Sequence, residues 1–375
     1  MAGFTSALYL GLAHGSAALR PWRRLTAGAP AALVPPAGSR SVARHLALLA
    51  GTEAATLGVS TLHLFWDLCG QIRHQPLRIL ADEHLYPVGR WGIERAAAAG
   101  VPTAAFGHHD PRSLARKLEQ GGHAGPPLHR SLTPLVVTDG LCPDCGRVPP
   151  LDRYLALVEE RGGWLLVDDS QALGLLGRDP RPEKPYGQGG GGSPTFLGIS
   201  SPRLLLVSSL AKSFGVPLGV LAGTGEAVGS FLRRSETLVY SSPPSVAAVR
   251  AAEAALAINR ERGDRLREQL AERVRRFRNG LRELGLEAAG GLSPVQNLEI
   301  PAGVDPLDLF RRLAAVGVKA VLRQGRCRPG PLLTFLLRAD VAPEEIDRAV
   351  GLLARTIPRL GRRHHERPEL RSHAL

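Results

Sequence analysis

Two apolar runs in this chain of 375 residues hand over to ionisable side chains. WLLVDD ends on Asp168 and Asp169, and LLLVSSL is followed within a few residues by Lys212. Apolar runs without polar alternation suit a parallel sheet buried on both faces, and open α/β sheets bind ligands at the carboxyl edge of their strands. A lysine near such an edge, partly withdrawn from water, has a depressed pKa, which is the condition for Schiff-base chemistry with a carbonyl compound. Taken singly, Asp168 reads as a helix cap after a strand and Lys212 as an exposed loop lysine. Taken together, at two strand ends, they form a candidate reactive pair.

Other residues with chemical potential read as less demanding. Cys142 and Cys145 form a C-x-x-C, but a zinc knuckle needs a second pair, and Cys69 and Cys327 stand alone in the sequence, so no metal is expected. Four cysteines in so long a chain are no disulfide framework. His108 and His109 precede a helix cap and are read as orienting that loop rather than binding metal. Glycines 189–192 read as a flexible run between strands and lack the spaced pattern that opens a helix, so no dinucleotide site is expected.

The elements that must position Asp168 and Lys212 alternate in type. LRIL before Asp82, PLVVTDG to Gly140, WLLVDD and LLLVSSL read as strands. Between them stand amphipathic stretches with start signals, such as Asp110 and Pro111 ahead of SLARKLEQ, where Asp caps and Pro occupies the first turn. Residues 1–42, rich in Gly, Pro and Ala, read as an N-terminal arm, and residues 43–244 as a large α/β domain. After Tyr240 the texture changes to a long helical stretch from Ser245 to Leu284, then QNLEI, a helix over Pro306 to Ala315, VKAVL, LLTFLL and a last helix over Pro343 to Thr356. That is a smaller C-terminal α+β domain over 245–358, followed by a loose basic tail at 359–375.

Composition excludes several classes. At 44% hydrophobic and 22% charged residues, the chain has the make-up of a folded globular protein rather than a disordered one. The net charge of +13 raises nucleic acid, membrane surfaces and anionic small molecules as partners. The Arg-rich stretch from Arg260 to Arg282 is interleaved with Glu261, Asp264, Glu268 and Glu272, as a solvated helix is, and the basic tail lacks interleaved aromatics. No nucleic-acid partner is expected. No apolar run approaches the roughly 20 residues that span a bilayer, and the first residues lack a positive leader, so no membrane partner and a cytoplasmic location are expected.

Four motifs in order give the chain a resemblance to the fold-type I pyridoxal phosphate enzymes of the aminotransferase class I/II superfamily, nearest to their α-oxoamine synthase branch (8-amino-7-oxononanoate synthase and glycine C-acetyltransferase-like enzymes). These are FGHHDPRSLARKL, VTDGLCPDCGRVPPL, Asp168-Asp169-Ser170-Gln171 and Ser209-Leu210-Ala211-Lys212-Ser213-Phe214-Gly215. The resemblance implies a mainly parallel seven-stranded sheet between helices in the large domain, pyridoxal 5'-phosphate as cofactor, and a homodimer. It implies that Lys212 holds the cofactor as a Schiff base and shuttles protons, while Asp168 pairs with the pyridinium nitrogen so that the ring acts as an electron sink. Tyr86 would stack on the cofactor face and Ser209 reach its phosphate or ring hydroxyl. Gly51, Thr52 and Glu53 would meet the phosphate at a helix N-terminus. Ser241 and Ser242 would cross a dimer interface to the neighbour's phosphate.

Two departures stand out. The family's His three residues after the strand-end Asp is Gln171, which hydrogen-bonds the ring hydroxyl but does not titrate. The family's Arg-Leu-Arg, whose first Arg binds the substrate carboxylate, aligns with Leu332 to Thr334; Arg323, Arg326, Arg328 and Arg338 are the replacements in reach along the chain. Three functions follow from the resemblance: condensation of an amino acid with an acyl thioester such as an acyl-CoA, transamination of an amino acid or amine, or a degenerate, non-catalytic role. Lys212 and Asp168 together favour an enzyme in a biosynthetic process.

Overall fold

The apolar runs become the strands of one sheet. The computed structural model describes residues 2–13, 25, 28–30, 32–120 and 132–365. In chain order the strands are β1 (Ala2–Gly3), β2 (Ala54–Gly58), β3 (Leu77–Asp82), β4 (Thr103–Phe106), β5 (Thr133–Asp139), β6 (Trp164–Asp168), β7 (Leu204–Ser209), β8 (Gly219–Gly223), β9 (Ala288–Ala289), β10 (Val295–Leu298), β11 (Val318–Lys319), β12 (Val321–Gln324) and β13 (Pro331–Leu336). The helices are α1 (Ser39–Ala50), α2 (Thr61–Ile72), α3 (Pro87–Ala98), α4 (Pro111–Gln120), α5 (Leu151–Glu159), α6 (Ser193–Leu197), α7 (Gly225–Arg234), α8 (Glu236–Tyr240), α9 (Val246–Glu283), α10 (Pro306–Ala315) and α11 (Pro343–His365).

The chain divides into two units, and the division is not linear in sequence. The larger comprises Leu10–Cys142 and Val148–Glu268; the smaller comprises Met1–Tyr9, Pro143–Arg147 and Gln269–Leu375. The larger unit holds a seven-stranded sheet in the order β2-β8-β7-β6-β5-β3-β4. Its strands pair in parallel from β7 through β6, β5 and β3 to β4, whereas β8 runs antiparallel to both β7 and β2.

Alternate residues of each central strand point to opposite faces, and both faces are covered. Leu165 and Val167 join one buried cluster with Val136, Leu204 and Leu206, whereas Leu166 joins another with Leu135, Val137 and Val207. This double burial is why the runs carry no polar alternation. The helices begin where their caps say: Asp110 Oδ1 accepts from the backbone N of Arg112 and Ser113, Ser60 caps α2 and Thr224 caps α7.

The glycine run is not a flexible spacer. Gly190 and Gly192 have φ of 80° and 98°, and a Cβ would stand 2.6 Å from the Arg267 guanidinium at the first and 1.9 Å from an Asp169 carboxylate oxygen at the second. These two positions are glycine because other groups occupy the space a side chain would need. Arg267, 2% exposed, donates to the Gly174 carbonyl and to Asn259 and pairs with Asp264, whose other partner is the Gly189 backbone N.

In the smaller unit β12-β13-β10-β9 form an antiparallel sheet, and β1 pairs in parallel with β11. Phe4, Phe277 and Phe335 pack with ring centroids 5.0 to 6.5 Å apart at its core. α11 continues through residues 359–365, so the start of the stretch read as loose tail is helical; residues 366–375 lie outside the described ones. Among the described residues no helix is long and apolar enough to cross a membrane.

Candidate active site

The register of the large sheet gathers the candidate residues. Asp168 ends β6 beside Asp139, which ends β5, and Val207 of β7 lies on its other side. Ser209, at the end of β7, pairs with Gly219, which in turn pairs with Gly58 at the end of β2. Since β2 and β7 run the same way, the N-terminus of α2 and the turn carrying Lys212 leave the sheet at one edge. They are two strand spacings apart, about 10 Å.

Asp168 is 5% exposed, and its Oδ1 accepts from the Ser170 backbone N at 3.1 Å. Ser170 in turn accepts at its Oγ from the Ser209 backbone N at 2.9 Å, which ties the β6 turn to the end of β7. Lys212, half-buried, follows in that turn. Burial lowers its pKa from the usual lysine value, and the nearby Asp168 charge opposes that shift in part. The chain therefore brings together the pair its sequence singled out: an amine with a weakened hold on its extra proton and a carboxylate within its electrostatic reach.

Around this pair, Tyr86 opens α3, and its backbone N donates to Asp139 Oδ1 at 3.1 Å. The residue is 36% exposed. Gln171 lies in the turn after β6, three residues beyond Asp168, and Ser209 Oγ accepts from the Ala211 backbone N. His108 and His109 do orient their loop: His108 Nδ1 is 2.7 Å from Asp82 Oδ1, and the His109 backbone N donates to Asp82 Oδ2 at 3.1 Å. Burial pushes the Asp82 carboxyl up, but the hydrogen bond and charge of His108 and the backbone donors outweigh it, holding Asp82 below its ordinary value.

Asp169 is a further buried group at this edge. It is fully buried and accepts from the backbone N and the hydroxyl of Ser193. Burial pushes its pKa up to about 7, the Ser193 bonds pull it down, and the Asp168 charge adds to the rise.

Gly51, Thr52 and Glu53 do not open a helix. Gly51 is the C-cap of α1, with φ 70°, and Thr52 bonds back to Ala47, so the exposed pole there is the carbonyl end, which repels a phosphate. Glu53 Oε2 instead accepts from the Gly225 backbone N at the start of α7. The helix N-terminus at the site edge belongs to α2, capped by Ser60 with Thr61 as its first residue. Its signal was in the sequence as a serine directly ahead of the apolar-periodic run TLHLFWDLCGQI.

Ser241 and Ser242 lie on the larger unit after α8, where Ser241 Oγ donates to the Thr237 carbonyl. Tyr240 beside them is 86% exposed. In the smaller unit, Arg323 pairs with Asp144, Arg328 with Glu299 and Arg338 with Asp340, so each of these arginines already has a carboxylate.

A lysine and an aspartate at the carboxyl edge of a seven-stranded, mainly parallel sheet define a chain of the aminotransferase class I and II family, and the model of that family matches residues 35–350. The chain belongs to it. Among curated proteins it is 31% identical over 271 residues to 8-amino-7-oxononanoate synthase of Methylococcus capsulatus, which covers 71% of this chain and 65% of that one. It is 32% identical over 272 residues to the synthase of the same name from Halorhodospira halophila, covering 70% and 61%. The chain thus spans under two thirds of the length of these relatives. Among solved structures it superposes on serine palmitoyltransferase from S. paucimobilis, bound to a pyridoxal phosphate–myriocin adduct, with a TM-score of 0.80 at 17% identity, covering 96% of this chain and 88% of that one. On 8-amino-7-oxononanoate synthase from Francisella tularensis the TM-score is 0.74 at 18% identity, covering 95% and 98%.

Proposed function

We propose that this chain is a pyridoxal phosphate-dependent transferase that condenses an amino acid with an acyl thioester, the α-oxoamine synthase reaction. The observation that carries this reading is the half-buried Lys212 and buried Asp168 at one sheet edge, in a chain whose curated relatives are named as such synthases. The donor set fits the cofactor: an amine of lowered pKa for its aldehyde, a carboxylate for its ring nitrogen, an aromatic face and a capped helix N-terminus for its phosphate. When bound, pyridoxal phosphate supplies an electron sink for charge developing at the substrate's α-carbon.

The chain's own residues do the rest. Lys212 would hold the cofactor through its aldehyde and would serve as the base that takes and returns the proton at the substrate's α-carbon. Asp168, oriented by the Ser170 backbone N, would accept from the ring N–H and favour its protonated form. The Tyr86 ring would cover one cofactor face, its backbone held by Asp139. Gln171 and Ser209 serve the ring hydroxyl, and Gln171 hydrogen-bonds there without moving a proton near neutrality. The α2 N-terminus at Ser60 and Thr61 would receive the phosphate. The net positive charge suits the phosphates of an acyl-CoA.

A homodimer belongs to the same reading. It is supported by the exposed apolar residues Val239 and Tyr240 directly before Ser241 and Ser242, the serines assigned to the neighbour's phosphate.

The test is the release of free thiol from acyl-CoA donors by protein supplied with pyridoxal phosphate, across a panel of amino acids. Amino acid-dependent thiol release that disappears in Lys212→Ala supports the synthase reaction. Amino transfer to an oxoacid without thiol release would move the assignment to an aminotransferase, and neither activity would leave the degenerate role.

A further inference from the structure

The fold of the smaller unit draws together two cysteines that lie far apart in the chain. Cys145 ends the turn Pro143–Cys145, and Cys327 lies in the loop between β12 and β13; both are half-buried, and their sulfurs lie within 4.8 Å of one another. A disulfide bond is about 2.05 Å long, so at most about 2.8 Å remains to be closed, a distance within reach of rotamer changes at the two side chains.

The approach is built into the unit. Asp144, the residue before Cys145, is 4% exposed, and its carboxylate accepts from the backbone N of Arg326 and of Cys327 and pairs with the Arg323 guanidinium. Asn297 of β10 donates from its side-chain amide to the Asp144 carbonyl at 2.7 Å and the Pro143 carbonyl at 3.3 Å. The Gly325 backbone N donates to the Gly330 carbonyl at 2.9 Å, which closes the loop bearing Cys327. These bonds hold the turn against the loop, so each thiol meets the other at high effective concentration. Both thiols line one cavity of about 820 Å³, whose wall they share with Arg147, Arg278, Arg328 and Glu299. Glu299 is already paired with Arg328, and Asp144 with Arg323, so guanidinium groups are in excess and an anionic reactant is favoured.

We propose that Cys145 and Cys327 form a reversible thiol–disulfide site whose reactant is a low-molecular-weight disulfide bearing carboxylates. One cysteine thiolate attacks a sulfur of the small disulfide, which forms a mixed disulfide and releases one small thiolate. The other cysteine thiolate then attacks the cysteine sulfur of that mixed disulfide and releases the second. The two protons lost by the cysteines end on the two released thiols; the protein gives up two electrons and the small disulfide takes them. An excess of small thiol runs the exchange backwards. The exchange uses no group assigned to the cofactor, and its product ties the turn to the loop covalently.

The test uses the full chain, reduced, desalted and incubated with oxidised glutathione. Remaining thiols are then blocked with N-ethylmaleimide, and the peptides are mapped by mass spectrometry without reduction. The wild type should yield a Cys145–Cys327 cross-linked peptide, retain no glutathione, and fall from four titratable thiols to two in denaturant, with all four restored by dithiothreitol. Cys145→Ser and Cys327→Ser should each stop at a mixed disulfide on the other cysteine of the pair. Cys69→Ala should form the same cross-link as the wild type, because Cys69 is buried among apolar side chains that push its thiol pKa up to about 12 and keep it out of the exchange. Oxidised glutathione should react at least about threefold faster than the cationic disulfide cystamine at low salt, with the gap closing as salt is raised. Four thiols still free after incubation, a wild type that stops at the mixed disulfide, a cross-link made by Cys142 instead, or a cystamine rate equal to or above that of glutathione would each overturn it.

Discussion

Asp169 offers a test of whether the site edge is as dry as the structure makes it. Its carboxyl is fully buried against Ser193, and burial raises its pKa from 3.8 to about 7. Between those values the unfolded chain releases this proton while the folded chain keeps it. The unfolded state then binds fewer protons, so stability falls as pH rises through the window. The gap between 3.8 and about 7, at roughly 1.4 kcal/mol per pH unit, amounts to about 4 kcal/mol, all present below pH 3.8 and lost by pH 7 to 8. Asp169→Asn removes the titration while leaving an amide that can accept from the Ser193 backbone N and donate to its hydroxyl. Urea-unfolding curves of both proteins at several pH values should show wild-type stability declining relative to the variant by about that amount between pH 4 and pH 8. Parallel pH profiles would refute the reasoning, since they would mean that Asp169 ionises in the folded protein as it does in water.

Other perturbations have defined outcomes. Arg267→Met leaves the Gly174 carbonyl and the Asn259 side chain without their donor, and urea denaturation should register a loss of about 2–4 kcal/mol. Gly192→Ala must hold φ near 98° and place its Cβ against the Asp169 carboxylate, so it should lower stability by about 2–4 kcal/mol, whereas Gly198→Ala, with φ 67° but open space around it, should cost less, about 1 kcal/mol. Tyr240→Arg places a charge on the exposed apolar patch beside Ser241; for the proposed homodimer, sedimentation velocity should show a dimer for the wild type and a monomer for the variant, and an unchanged sedimentation coefficient would remove this patch from the interface.

Much of the fold could be read from the chain because burial writes itself into pattern. The uninterrupted apolar runs before Asp82, Gly140, Asp168 and Leu210 became β3, β5, β6 and β7, each covered on both faces. The candidate pair, Asp168 and Lys212, was legible for the same reason, since an ionisable residue at the end of such a run has nowhere to go but the sheet edge. The helix N-terminus at the site edge was harder. Gly51-Thr52-Glu53 and Ser60-Thr61 are both small polar clusters beside an apolar segment, and only the structure shows that the first closes α1 and the second opens α2. Packing against distant partners left no local trace. The glycines at 190 and 192 look like a spacer in one dimension, but Arg267 and Asp169 fill the space beside them. Met1–Tyr9 and Pro143–Arg147 join the C-terminal half of the chain in one unit, a regrouping that sequence order conceals.

Whether Lys212 carries the cofactor is decided by covalent trapping. The protein would be incubated with pyridoxal phosphate, reduced with borohydride, digested and mapped by mass spectrometry. A single phosphopyridoxyl modification is expected, on the peptide containing Lys212, and its loss in Lys212→Ala. Modification spread over surface lysines with Lys212 untouched, or none at all, would contradict it.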